Sequence, residues 1–410
     1  MKKAIKILLI TDHHTPHGGG AERYFFTLKD HLQNAGHSVF SMGFGDHSTQ
    51  GTDFAVIKGT RSHLTRLTWN ILFHPFKYRA LRKHITAFKP DIIHLHNIRN
   101  YTISLLHAVK GYPVVQTVHD FYPVCPSMTN IHLDQQPCPT GLRLNCLFQH
   151  KGRYPFLGYL GVLIAFSRMR KLLKQTVQHF LTPSPFLASY LEKNDFVPTT
   201  VILPFIEQPD SLPNTTPNTH QFLYIGRIEK NKGVDILINE FAEACKKNSF
   251  LILKLAGEGN LKTRLTQKIK LLKLENNIYF LGKINEPELL QKQVDESTAL
   301  IFPSIGMESF GLVITEAMSR ARAVIGSNRG TTAWLIDHQK TGLLFDPLQK
   351  GNLAESILTL ANHSTLSAQY GKNGFEKLTS FPDKKTLVEK ITQIYKETLL
   401  TRLPGCSERY

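Results

Sequence analysis

Along the whole chain, short apolar runs alternate with longer stretches in which apolar positions recur at helical spacing. The short runs read as buried strands and the longer stretches as helices packed on them. In the first half the clearest runs are Lys6 to Thr11, Asp91 to His96 and Pro113 to Val118, and Ala21 to Asn34 is an amphipathic helix ending before Gly36. In the second half the expected strands are 221–226, 250–256, 278–281, 299–303 and 323–326. Helices near 233–247, 260–273, 285–294, 311–321 and 350–362 interleave with them. Such alternation predicts α/β layers with parallel sheets. The polar stretch from Glu207 to His220 carries Pro209, Pro213 and Pro217 and reads as a linker separating residues 1–206 from 221–382. A last helix is expected over about 383–400.

The ends of these strands carry the chemistry. The strand closing at Pro303 delivers Glu308-Ser-Phe310-Gly311, and Glu316 follows, expected two turns into the next helix. In an open α/β sheet this crevice, outside the carboxyl ends of the strands, is where ligands bind, and a helix N-terminus there offers N–H groups to phosphate. A carboxylate on the loop can hold sugar hydroxyls and one in the helix can hold a ribose. The strand closing at Gly226 runs into a basic loop with Arg227 and Lys232. Arginine offers a bidentate fork and lysine a point charge, a pair suited to a phosphate group. The first strand leads to His17-Gly18-Gly19-Gly20, read as a loop whose backbone can approach a phosphate closely. It is neither a dinucleotide fingerprint nor a P-loop, because the residues that would complete those motifs are absent. His119 ends the strand from Pro113, with Asp120 beside it to bias its protonation. His94 and His96 end another strand and read as structural hydrogen-bonders.

Taken together, Glu308, Phe310, Gly311 and Glu316 resemble the Glu-x-Phe-Gly-x4-Glu pattern of the family-4 retaining glycosyltransferases, and the likeness extends over nearly the whole length. The resemblance implies the GT-B fold, two Rossmann-like domains facing each other across a cleft, with the final helix, about 383–410, packing back on the first domain. It implies an acceptor-binding domain at 1–206 and a nucleotide-sugar-binding domain at 221–382. By the same resemblance Glu308 contacts the donor sugar and Glu316 the ribose, while Arg227 and Lys232 grip the diphosphate. Gly19 and Gly20 face acceptor and diphosphate, and His119 lies near the transferred sugar. The implied reaction moves a sugar from a nucleotide diphosphate sugar to a hydroxyl of a glycan or lipid-linked acceptor, with retention. The implied setting is synthesis of a cell-envelope polysaccharide. A front-face attack, in which the leaving phosphate takes the acceptor proton, is favoured over a covalent intermediate on Glu308. No cofactor is required, and no Asp-x-Asp metal clasp is present.

Charge adds an asymmetry. The chain carries a formal net charge of +17, with 23 Lys and Arg against 10 Asp and Glu in residues 1–205 and 26 against 22 in the remainder. A basic first half suits an anionic partner, either a phosphorylated acceptor or a lipid surface. The segment from Arg61 to Lys83 mixes cations with Trp69, Phe73 and Phe76 and reads either as an interfacial helix broken at Pro75 or as a surface helix packed on its own core. The longest apolar run, Phe156 to Phe166, is short of the ~20 residues that span a bilayer. The apolar stretch near the start reads as a core strand rather than a signal peptide. A cytoplasmic location is expected, peripheral on the inner face of the cell membrane. Five cysteines are too scattered for a disulfide scaffold. Cys125, Cys138 and Cys146, with His150, have the makings of a structural zinc site, although reduced cysteines without metal suit the irregular spacing better.

Two other readings fit parts of this pattern. A GT-B-fold sugar-nucleotide epimerase would share the glycine loop and carboxylates and need no acceptor. A nucleic-acid-binding protein would explain the charge, but no helix-turn-helix, zinc-finger or RNA-binding motif is present, and no nucleic-acid partner is expected.

Overall fold

A computed structural model describes the chain apart from residues 1–3, 16–18, 46–47, 59–71, 100, 127–129, 133–134, 139–145, 147–155, 208–210, 214–219 and 402–410. The chain divides into two compact units. One gathers residues 1–133, 138–205 and 384–410, the other 134–137 and 206–383.

The first unit contains β1 (Lys6–His13), α1 (Gly20–Asn34), β2 (Ser38–Gly45), β3 (Thr49–Gln50), β4 (Phe54–Lys58), α2 (Pro75–Phe88), β5 (Ile92–Leu95), α3 (Thr102–Val109), β6 (Val114–Thr117), α4 (Phe156–Thr176), β7 (His179–Thr182), α5 (Pro185–Glu192) and β8 (Thr199–Val201). Its strands form one sheet in the order β3-β4-β2-β1-β5-β6-β7-β8, parallel throughout except where β3 meets β4. All four residues of β5 and of β6 are buried. Ile92, Ile93, Leu95, Val114 and Val115 supply the apolar contacts of strands covered on both faces, and the polar His94, Gln116 and Thr117 among them are hydrogen-bonded. Pro75 starts α2, where its missing N–H costs nothing, and the His74 ring accepts from Lys77 N at 3.3 Å; residues 59–71, where a helix before the expected break would run, lie outside the described residues. Gly20 likewise belongs to α1 rather than to the loop before it, and His17 and Gly18 lie outside the described residues.

The second unit contains β9 (Gln221–Ile225), α6 (Val234–Lys247), β10 (Ile252–Ala256), α7 (Lys262–Leu271), β11 (Ile278–Gly282), α8 (Pro287–Asp295), β12 (Ala299–Phe302), α9 (Leu312–Ser319), β13 (Ala323–Ser327), α10 (Thr332–Leu335), β14 (Gly342–Phe345), α11 (Asn352–Asn362) and α12 (Ser364–Thr379). Its sheet is parallel in the order β11-β10-β9-β12-β13-β14. The chain then returns to the first unit as α13 (Lys384–Leu400). There Leu387, Val388, Ile391, Ile394 and Tyr395 join Ile7, Leu9, Tyr24 and Val115 in one core.

One buried carboxylate ties two helices of the second unit together. Glu240 on α6 is 5% exposed and accepts from Gly351 N at 3.0 Å and Ala354 N at 3.2 Å, at the start of α11. A carboxylate there satisfies amides that have no partner within the helix and complements its dipole. Glu240→Ala is expected to lower unfolding free energy by about 1–3 kcal/mol. Urea titration should show a lower midpoint at unchanged slope, and an unshifted midpoint would contradict the assignment.

Candidate functional site

In the second unit the ends of β9 and β12 lie side by side because those strands pair. The loop after β9 is a single tight turn, Lys230–Lys232, closed by Gly233 at φ 71°. A Cβ on Gly233 would stand 1.9 Å from the Pro303 carbonyl oxygen, so only glycine lets this loop touch the one after β12. The Asn231 carbonyl then accepts from both Ile305 N and Gly306 N, each at 3.0 Å, which locks the two loops together.

That contact delivers Lys232 Nζ to Glu308 Oε1 at 2.7 Å, with only 20% and 17% of the two side chains exposed. Ser304 Oγ donates to the same carboxylate oxygen, and the Glu308 backbone carbonyl accepts from Thr331 Oγ1 at 3.0 Å. Burial alone would raise the Glu308 carboxyl. The Lys232 charge and hydrogen bond, the Ser304 hydroxyl and the more distant Arg227 outweigh it and hold Glu308 below the usual carboxylate range. Glu308 is therefore ionised at neutral pH.

The other residues singled out from the sequence are placed as follows. Phe310 is buried, and Gly311 stands at the N-terminus of α9. Glu316 is half-buried on α9, just past its first turn rather than two turns in. Arg227 is turned to Glu229, Nη1 to Oε1 at 2.9 Å, with 66% of its side chain exposed. Tyr224 Oη donates to the Arg227 carbonyl at 2.7 Å, which fixes the backbone there. Ser304 and Thr331 could not be picked out beforehand, because each is an ordinary hydroxyl on a loop.

In the first unit, Gly19 N donates to Glu22 Oε2 at 2.9 Å, so this amide of the glycine loop is held by the acid three residues on. His119, after β6, pairs its Nε2 with His96 Nδ1 at 3.0 Å and packs on Tyr24 with centroids 5.1 Å apart. Burial and the nearby Arg99 charge lower its pKa to about 3, so it is a neutral imidazole at physiological pH. The expectation that Asp120 biases this ring is corrected. Asp120 is engaged by the Arg99 guanidinium and by Tyr122 N at 2.8 Å, so the charge acting on the ring is the arginine's. Arg99 is fixed in turn, its backbone N donating to both oxygens of Asp12 at 2.6 and 2.7 Å.

Cys125, Cys138 and Cys146 are each buried, and His150 lies outside the described residues. Among the described residues no group of three or more His, Cys, Asp or Glu is gathered as a metal would need, and no helix is long and apolar enough to cross a membrane.

Two family models match this chain, Glycosyltransferase Family 4 over residues 18–207 and Glycosyl transferases group 1 over 208–377. Among curated proteins, it is 25% identical over 173 residues to a poly(ribitol-phosphate) alpha-N-acetylglucosaminyltransferase of Staphylococcus aureus, covering 42% of this chain and 34% of that protein. It is 26% identical over 175 residues to the glycogen synthase of Mycobacterium tuberculosis, covering 43% of this chain and 42% of that protein. The matches thus span well under half the length of these relatives. Among solved structures, the sucrose-phosphate synthase of Thermosynechococcus elongatus has a TM-score of 0.72 at 18% identity, covering 96% of this chain and 99% of that one. Anabaena HepE, solved with UDP and glucose, has a TM-score of 0.70 at 19% identity, covering 96% and 100%. At such identities the likeness is one of fold.

Proposed function

The chain belongs to the family-4, group 1 glycosyltransferases of GT-B fold, and from that premise we propose that it moves a sugar from a nucleotide diphosphate sugar to a hydroxyl of a glycan or glycolipid, with retention at the anomeric carbon. The observation that carries the reading is the Lys232–Glu308 pair, an ammonium and a carboxylate held nearly dry on two interlocked loops at the ends of paired strands. The donor would bind mainly the second unit. Lys232 would meet the diphosphate, with Arg227 swinging from Glu229 to join it, and Glu308 would take sugar hydroxyls. Glu316 would hold the ribose. A front-face attack, in which the leaving phosphate accepts the proton of the incoming hydroxyl, asks nothing of a protein base and suits a neutral His119. The basic first unit would take the acceptor, and a phosphate-bearing cell-envelope polymer suits its charge.

The test is thermal stabilisation against a panel of nucleoside diphosphates, because a ligand that binds only the native state raises the midpoint by mass action. HepE was solved with UDP-glucose, so UDP is the first member to try. A midpoint rise with one diphosphate and none with its monophosphate is expected. No rise with any diphosphate would overturn the reading.

A peripheral membrane location is part of the same proposal. Phe76 is 73% exposed on the first turn of α2, with Leu72 and Phe73 beside it and Arg79 and Lys83 on the exposed surface of that helix, whereas Leu81 and Ile85 are buried. Arg82 is docked instead, its Nη1 donating to the Ala108 carbonyl at 3.2 Å. The part of the segment from Arg61 to residue 71 lies outside the described residues. Each free cation near an anionic surface contributes about 1 kcal/mol. Co-sedimentation with anionic vesicles is expected, weakened by salt and by Arg79→Ser with Lys83→Ser. Equal binding to neutral and anionic vesicles, or none to either, would count against it.

A further inference from the structure

Three histidines of the first unit form a buried row. His94 bonds Tyr395 Oη on α13 through Nδ1 at 2.6 Å and Thr117 Oγ1 through Nε2 at 2.7 Å. His96 stacks on His94 with centroids 4.4 Å apart and is 1% exposed. Phe25 meets the His96 ring edge-on at 4.9 Å, which together with His94 and His119 stacked on it leaves the ring little room to turn. Its Nδ1 stands 3.0 Å from His119 Nε2. Its Nε2 is buried and has no hydrogen-bond partner among the described residues, and the Tyr24 ring centroid lies 5.9 Å from the His96 ring.

A bond between two neutral imidazoles needs one N–H and one lone pair. Were His119 the donor, His96 would carry its proton on Nε2. That N–H would then be buried without an acceptor. Buried N–H groups without a partner are rare, and unused acceptor lone pairs are less so. With the proton on His96 Nδ1 the conflict disappears: Nδ1–H donates to His119, and the unused His96 atom is only a lone pair. His119 must then hold its own proton on Nδ1, which bonds no described residue and is not among the buried unpartnered atoms.

We infer that His96 is a positioning residue that holds His119 as its Nδ1–H tautomer, so that the ring offers its substrate a hydrogen-bond donor and never an acceptor. The substrate atom it meets must then be an acceptor oxygen, of a sugar hydroxyl or a phosphate. This rests on the placement of His119 beside the transferred sugar.

The experiment uses the full chain labelled with 15N-histidine, correlating ring protons with both ring nitrogens, and His119 is assigned by the signal lost in His119→Gln. His119 is expected to show a protonated Nδ1 and a bare Nε2. In His96→Leu it should relax to a mixture of tautomers while turnover of UDP-glucose falls roughly 10- to 100-fold and UDP affinity is unchanged. His96→Asn, whose amide can place an N–H near the former Nδ1, should restore the tautomer and most of the turnover. A His119 protonated on Nε2, or an unaltered tautomer in His96→Leu, would overturn the proposal even if His119→Ala is inactive. A locked tautomer with wild-type turnover in both His119→Ala and His96→Leu would instead remove His119 from the sugar site, and the purpose of the lock with it.

Discussion

Replacing Lys232 by alanine is expected to reduce turnover by about 2–4 kcal/mol of transition-state stabilisation, roughly 30- to 900-fold. The ammonium is fixed 2.7 Å from Glu308 and largely shielded from water, so its charge would act on the proposed leaving diphosphate at far less than aqueous screening. The same substitution leaves a buried carboxylate without its counter-ion. In the native protein Glu308 titrates below its usual value, so its contribution to stability is present above the unfolded carboxylate pKa and is lost as pH falls through the folded one. Lys232→Ala should therefore flatten the acid limb of a stability–pH profile as well as slow turnover. Arg227→Ala should slow turnover with a much smaller stability change, because the guanidinium is 66% exposed, bonds Glu229 and acts on Glu308 only weakly, from a distance. Wild-type activity in the double variant would dismiss both cations from the diphosphate site.

Glu308→Gln and Glu316→Gln should separate cleanly. Glu308 is tied to Lys232 and Ser304 on a loop, and its amide replacement keeps the shape but removes the charge that orders them. Turnover is expected to fall about 100-fold or more, with nucleotide affinity little changed. Glu316 is half-buried on α9, and its loss should mainly raise the KM for the donor by weakening ribose contacts. Identical defects from the two variants would contradict the division of roles.

Much of the architecture is written in local pattern. Apolar runs such as those ending at Leu95, Phe302 and Ser327 can bury both faces only as inner strands of a parallel sheet, and they do. Where local signals conflict, the pattern misleads. β10 begins at Ile252 rather than Phe250, whose ring is 76% exposed. α12 is not among the helices expected from the chain, and it carries two poor helix formers, Gly371 and Gly374. Gly371 is there because a Cβ would stand 2.0 Å from the Ala321 carbonyl oxygen, a packing demand that cannot be seen along the chain.

The sequence by itself determined the α/β class, most strand positions in the second unit and the residue types at the strand ends, because these follow from periodicity and from residues a few positions apart. Only the tertiary structure decided which groups meet. Lys232 and Glu308 are 76 positions apart and His94 and Tyr395 are 301 apart. Whether a carboxylate is ionised, or an imidazole held neutral, depends on the burial and neighbouring charge that such meetings create. Desolvation and Coulomb interactions depend on distance in space, which sequence separation does not encode.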